Sequence, residues 1–212
     1  MRDTTDDDIT GAAGGGPTSA GERRSRAARL RAIEEVAWRQ FAAGEYEAVG
    51  LAEIAAEVGL ARSTVQTYVG SKRDLYRQCV DRAVAELDAH LAMAAGGDGN
   101  HADRLRRALA AFLDFADERP EAWALVDRHL FVAAGPFAAD GARMREQLLP
   151  RLEELVAGAR VPSSPGATAS AVLGSLHALA SWRSERPDIP RESVVERATA
   201  LIWFGLALEL GR

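Results

Sequence analysis

Between Leu60 and Gly70 the chain gathers Arg62, Ser63, Thr64, Gln66, Thr67 and Tyr68, interrupted only by Val65. Guanidinium, carboxamide and hydroxyl groups at this density suit one chemistry in particular. Arg, Gln, Ser and Thr pair with base edges in a DNA major groove, while Tyr, Ser and Thr hold phosphate oxygens. The remaining residues say how such a row would be presented. Val65 and Val69 lie four apart, so a helix over Arg62–Val69 has one apolar side and a polar remainder. Just before it, Leu51, Ile54, Ala55 and Val58 line one side of another short helix, and Gly59 marks a tight turn between the two. The helix-turn-helix is built this way: the first helix braces the second, whose N-terminal half enters the groove.

Charge follows the same plan. Residues 21–31 carry five Arg against Glu22, and residues 62–82 carry five bases against two acids. Residues 34–57 between them carry six Glu against Arg39. The chain is acidic overall, with a formal net charge of −5, so it is not a generally basic polyanion binder. Affinity for DNA needs the local patch and not a basic total.

The elements that must hold this row are helical. Alanine is about a fifth of the 212 residues, and 25 of the 26 bases are Arg, with Lys72 the single lysine. Strong helix formers dominate and β-branched residues are sparse, which predicts an all-α protein of about nine helices. Residues 1–20, acidic and Gly-rich, have almost nothing to bury and read as a disordered tail. A first helix follows, with Leu30, Ile33, Ala37 and Phe41 on one stripe and Gly44 at its end. A longer fourth helix starts near Ser71, an N-cap with Asp74 three residues on, and carries Leu75, Cys79, Ala83, Leu87 and Leu91. Later stripes run through Leu105–Ala116 (stopped by Pro120), Trp123–Leu130 (stopped by Gly135 and Pro136) and Met144–Leu155. A Pro/Ser/Gly loop over Val161–Gly166 and two closing helices, about 167–185 and 191–210, complete the chain. The division expected is a DNA-binding domain over 21–70 (helix-turn-helix about 49–69), a connecting helix over 71–95, and a C-terminal domain over 96–212.

The stretch from 24 to 85 resembles the tetracycline-repressor (TetR) family of bacterial transcription regulators. The resemblance rests on the Arg-rich first helix ending in Phe41-Ala-Ala-Gly44, on Ile54-Ala55 and Val58-Gly59, on Thr64 and Tyr68, and on Ser71-Lys72-Arg73-Asp74-Leu75. It implies that Arg62, Ser63, Thr64, Gln66, Thr67 and Tyr68 face DNA, that Lys72 holds a phosphate, and that Arg24 and Arg26 support the contact. Four positions depart from the family's usual pattern. Gly50 and Ala61 stand where hydroxyl caps are common, Gln66 where Tyr is common and Val69 where Phe is common.

By the same resemblance the C-terminal half encloses a ligand cavity and pairs two chains through the last two helices. Phe112, Phe115, Trp123, Phe131 and Trp182 are the large candidates to line the cavity, with Arg128 and His129 to orient a polar or anionic end. The final helix is apolar nearly all round, with Leu201, Ile202, Trp203, Phe204, Leu206 and Leu208, and a partner subunit would cover it. The function implied is a homodimeric regulator, expected to be a repressor released from a near-palindromic, double-stranded operator by a small molecule. The rival is a helical small-molecule-binding or scaffolding protein that has lost DNA binding.

Other chemistries find no support. Ser175, His177 and Ser181 share one Ala-rich helix without a nucleophile elbow, and neither a dinucleotide fingerprint nor a P-loop occurs, so no enzyme and no cofactor are expected. His90, His101, His129 and His177 are scattered without an i,i+4 pair, so no metal is expected. Cys79 falls on an apolar stripe and reads as a structural thiol. No apolar run reaches the roughly 18 residues of a membrane span, and the N-terminus has no signal-peptide pattern, so a cytoplasmic protein without membrane attachment is expected.

Overall fold

The computed structural model describes residues 20–96, 98–157 and 164–208, with side chains from 21 to 203. Residues 1–19 of the expected tail, the first part of the Val161–Gly166 loop, and the side chains of Phe204, Leu206 and Leu208 lie outside the described residues. Nine α-helices and no strand occur among them. They are α1 (Ala20–Ala43), α2 (Leu51–Glu57), α3 (Arg62–Val69), α4 (Lys72–Ala95), α5 (His101–Glu118), α6 (Pro120–Asp127), α7 (Ala138–Ala157), α8 (Pro165–Ser184) and α9 (Arg191–Leu208). A single 3-10 turn, Tyr46–Ala48, links α1 to α2.

Local chemistry explains most boundaries. Ser71 and Asp74 form the reciprocal capping box that starts α4: the Asp74 N–H donates to Ser71 Oγ at 3.1 Å, and the Ser71 N–H donates to Asp74 Oδ2 at 2.9 Å. Ser71 Oγ also donates to Asp74 Oδ2 at 2.6 Å, and this bond, then the one from the Ser71 N–H, holds the Asp74 carboxyl below its ordinary pKa. Asn100 and Asp103 repeat the device at α5. Arg119 ends α5, and Pro120 does more than stop it: it opens α6 at the position where a missing N–H costs nothing.

One boundary differs from the sequence reading. The Trp123–Leu130 stripe predicts a helix running toward Gly135, whereas α6 ends at Asp127 and residues 128–137 form a compact connection. Close packing is the reason. A Cβ on Gly141, in the first turn of α7, would lie 2.4 Å from the His129 carbonyl oxygen, so α7 rests directly on the connection and there is no room for another helical turn.

The core is continuous from the N-terminal helices into the bundle. Ile33, Phe41, Ile54, Val65 and Leu75 are fully buried at one end, and Leu87, Leu109, Phe112, Leu148 and Leu173 at the other. Helix α4 is the spine: its flanks meet α1, α5, α6 and α7. Helix α9 lies chiefly on α5, to which Arg191 is tied through Asp114 and Glu192 through Arg106.

Candidate nucleic-acid interface

Helices α2 and α3 are joined by a turn that requires glycine. Gly59 has φ +68°, its N–H donates to Ala56 O, and the Leu60 N–H donates to Ala55 O. This paired bonding closes the C-terminus of α2 with a left-handed residue, which Gly adopts without steric cost. The turn lays α3 across α2, with Val65 and Val69 buried beneath it. Arg62, Ser63, Gln66 and Thr67 are exposed, and Thr64 and Tyr68 are half-buried at the edges. The expected polar row therefore exists as one surface. Thr67 is partly spent internally, since its hydroxyl donates to Ser63 O at 2.9 Å.

Around this row sits the basic rim. Arg26 lies over the Tyr68 ring at 5.5 Å, which braces the aromatic edge of α3, and Arg24 is exposed two residues earlier on α1. Lys72 opens α4. Its ammonium lies 4.1 Å from the centre of the Tyr46 ring and donates to Glu47 O at 3.3 Å. With Arg62, Gln66, Ser71, Glu47 and Gly50 it borders a concavity of about 520 Å³. The departures at Gly50 and Ala61 have a structural counterpart: both are N-caps with no side-chain hydrogen bond to the helix they open.

The residues expected to line a ligand cavity fall in several places. Phe112 and Trp123 meet edge to face at 5.6 Å, and Phe112 and Phe115 are fully buried. Phe131 is 42% exposed and packs on His177. Trp182 is 40% exposed and belongs to a groove of about 650 Å³ between α8 and α9, with Leu179, Ile189, Val194, Arg197 and Leu201. Arg128 turns away from the bundle and donates to Phe41 O at 2.7 Å. His129 is buried, stacked on Phe137 at 4.2 Å and edge-on to Tyr76. Neither His129 ring nitrogen nor the Tyr76 hydroxyl has a hydrogen-bond partner among the described residues. Burial, then the neighbouring Arg128 cation, hold the imidazole below its usual pKa, and burial pushes the Tyr76 phenol up to about 12.

Sequence reasoning missed Tyr76, Phe137 and Asp140, which converge on His129. Asp140 is a buried carboxylate held by Arg73, Arg77 and Arg143 at 2.7, 2.9 and 3.1 Å. Arg73 and Arg77, four apart and directly after Lys72, were the available signal. The Ser175–His177–Ser181 group also resolves. Ser181 and His177 both bond the Asp127 carboxylate, at 2.6 and 2.9 Å, so the hydroxyl is not aligned on the imidazole. Cys79 is buried, and burial pushes its thiol up to about 12. Among the described residues no group of three or more His, Cys, Asp or Glu could hold a metal, and no helix is long and apolar enough to cross a membrane.

A three-helix head with a helix-turn-helix, carried on a helical bundle, defines a class of DNA-binding regulator. Residues 33–79 match the family described as "Bacterial regulatory proteins, tetR family". The chain is 24% identical over 195 residues to the HTH-type transcriptional activator FasR of Mycolicibacterium smegmatis, covering 91% of this chain and 89% of that one. A TetR-like transcriptional regulator from Rhodococcus sp. RHA1 shares the fold with a TM-score of 0.66 at 23% identity, over 90% of this chain and 99% of the other. AibR, solved with isovaleryl coenzyme A and operator DNA, shares it with a TM-score of 0.66 at 18% identity, over 82% and 98%. Residues 33–79 thus carry a DNA-binding region of the tetR type, and the chain shares its fold with these regulators.

Proposed function

We propose that the protein works as a homodimer whose two α3 helices read the half-sites of a near-palindromic operator, and that a small molecule in the C-terminal half shifts it off the DNA. The observation that carries this reading is the α3 surface: a polar row exposed over two buried valines, bordered by Arg26 and Lys72. Arg62 and Gln66 are the base readers in this scheme, Ser63, Thr64, Thr67 and Tyr68 add base-edge or phosphate contacts, and Lys72, Arg24 and Arg26 engage phosphates. The groove between α8 and α9, with Trp182 and Leu201 exposed, supports pairing through those two helices. A second subunit there would bury the apolar surface and set the two heads about 34–36 Å apart or a multiple of it.

For the ligand, support comes from two buried polar side chains, Tyr76 and His129, with no hydrogen-bond partner among the described residues, packed around Phe137 with Arg128 and Asp140 close by. Such groups suit the polar end of a bound molecule. An acyl-coenzyme A is the class to try first, since AibR was solved with one. The relative FasR carries the name of an activator, which favours activation as a second reading of the regulatory sign.

The test is selection of random double-stranded DNA by the purified protein, followed by affinities at two salt concentrations. One enriched near-palindrome with steep salt dependence is expected. No enriched sequence would overturn the reading in favour of a helical binding or scaffolding protein. Placing the selected operator before a reporter then decides between repression and activation.

A further inference from the structure

The head joins the bundle through α4 and through the packing of α1 on α6. Three side chains from one short stretch add specific ties to its base. Arg128, at the end of α6, donates to Phe41 O at 2.7 Å and to Ala42 O at 3.4 Å. Both carbonyls belong to the last turn of α1, where helical partners run out, so the guanidinium closes that helix from outside. Phe137 packs its ring edge-on against both Tyr46 of the head and Tyr76 of α4, at 5.0 and 5.5 Å, and those two rings also meet each other at 5.0 Å. Asp140 grips the first two turns of α4 through Arg73 and Arg77, and Arg73 also donates to Pro136 O. The stretch is stiff, because it is stacked internally (His129 on Phe137) and closed by the contact of Gly141 with the His129 carbonyl.

We infer that the α6–α7 connection together with the first turn of α7, residues 128–140, sets the angle of the reading head, and that Arg128 and Asp140 are positioning residues for the spacing of operator half-sites. The inference rests on the dimeric, operator-reading function proposed above. Its logic is geometric. Each prong holds a different part of the head's base: the end of α1, the Tyr46 turn and the start of α4. None of the three side chains belongs to the α3 surface that reads bases. Loosening them changes where a head can stand, not which bases it prefers. In a twofold dimer the head position is the half-site spacing, so tolerance of altered spacing is the property that moves.

The experiment uses the full chain and the operator selected by the wild-type protein. Affinities are measured for that operator, for versions with one or two base pairs inserted or removed at its centre, and for an isolated half-site. Asp140→Asn keeps the shape and removes the charge. Arg128→Gln cuts the separate link to α1 and guards against Asp140→Asn failing to fold. Expected is a spacing penalty at least about fivefold smaller than that of the wild type, a coupling-sized effect, in each folded variant. Half-site base preference and salt slope should stay as in the wild type. Folded variants that keep the wild-type spacing penalty overturn the inference. So do variants that lose half-site preference together with spacing. If the wild type itself enriches no near-palindrome, the proposed function fails in that arm alone, and this inference falls with it.

Discussion

The α3 surface and the α8–α9 groove are opposites. On α3, charged and amide groups stand out over a pair of valines that are fully or nearly fully buried. Along α8 and α9, Trp182 and Leu201 are 40% and 69% exposed beside Leu179 and Val194. Polar groups in water are comfortable, so the α3 row costs the isolated protein little and acquires meaning only against base edges. Exposed apolar groups are not comfortable, so the groove carries a standing drive toward a covering surface. On the function proposed above, one face serves discrimination and the other association.

The largest effect expected from breaking this contrast comes from the groove. Trp182→Glu combined with Leu201→Glu should leave a folded monomer, visible by sedimentation. Operator affinity should fall by about 10²- to 10⁴-fold, the usual gain from joining two binding events, while half-site affinity stays put. A dimer unchanged by both charges would remove the groove from the interface.

Next in size is the contrast between buried and exposed aromatics. Phe112→Ala empties a fully buried site and should cost about 3–5 kcal/mol of stability by denaturant titration. Phe131→Ala, at a site 42% exposed, should change stability by about 0.5 kcal/mol or less. If Phe131 proves as costly as Phe112, it is covered in solution by a partner or a ligand.

Smaller effects separate reading from holding within the head. Arg62→Ala or Gln66→Ala should cost about 1–3 kcal/mol of operator binding and relax preference at particular base pairs. Lys72→Gln should weaken all DNA nearly equally and reduce the salt slope by about one. A Lys72 variant that altered base preference would place it in the groove and not on a phosphate.

The smallest is a pH effect in the bundle. The folded protein keeps His129 neutral, because burial lowers its pKa, and the unfolded chain therefore takes up the proton first. Stability from this source is whole above about pH 6.5, the ordinary imidazole value. It is lost as pH falls from there toward the lowered folded value. His129→Phe should flatten the stability profile across that range, measured by denaturant midpoints.

The head was legible in the chain because its signals are local. Ser71 with Asp74, Gly59 after Val58, and Val65 with Val69 each state a cap, a turn or a buried face within four residues. The ends of α6 and the surroundings of Asp140 were not legible in the same way. A buried Asp among three Arg, or a glycine needed because a carbonyl 12 positions earlier rests against it, leaves no periodic trace.

Composition, spacing and caps thus determined the helical class, the helix-turn-helix and the row of groups that faces outward on α3, since short-range hydrogen bonding and hydrophobic periodicity act between near neighbours. Tertiary structure alone decided that Arg128 turns to the end of α1, that Trp182 opens onto a groove while Phe112 is sealed in the core, and that Asp140 ties α7 to the base of the reading head. Those choices depend on which distant helices come to lie side by side, and long-range packing brings together residues 60 or more positions apart in the chain.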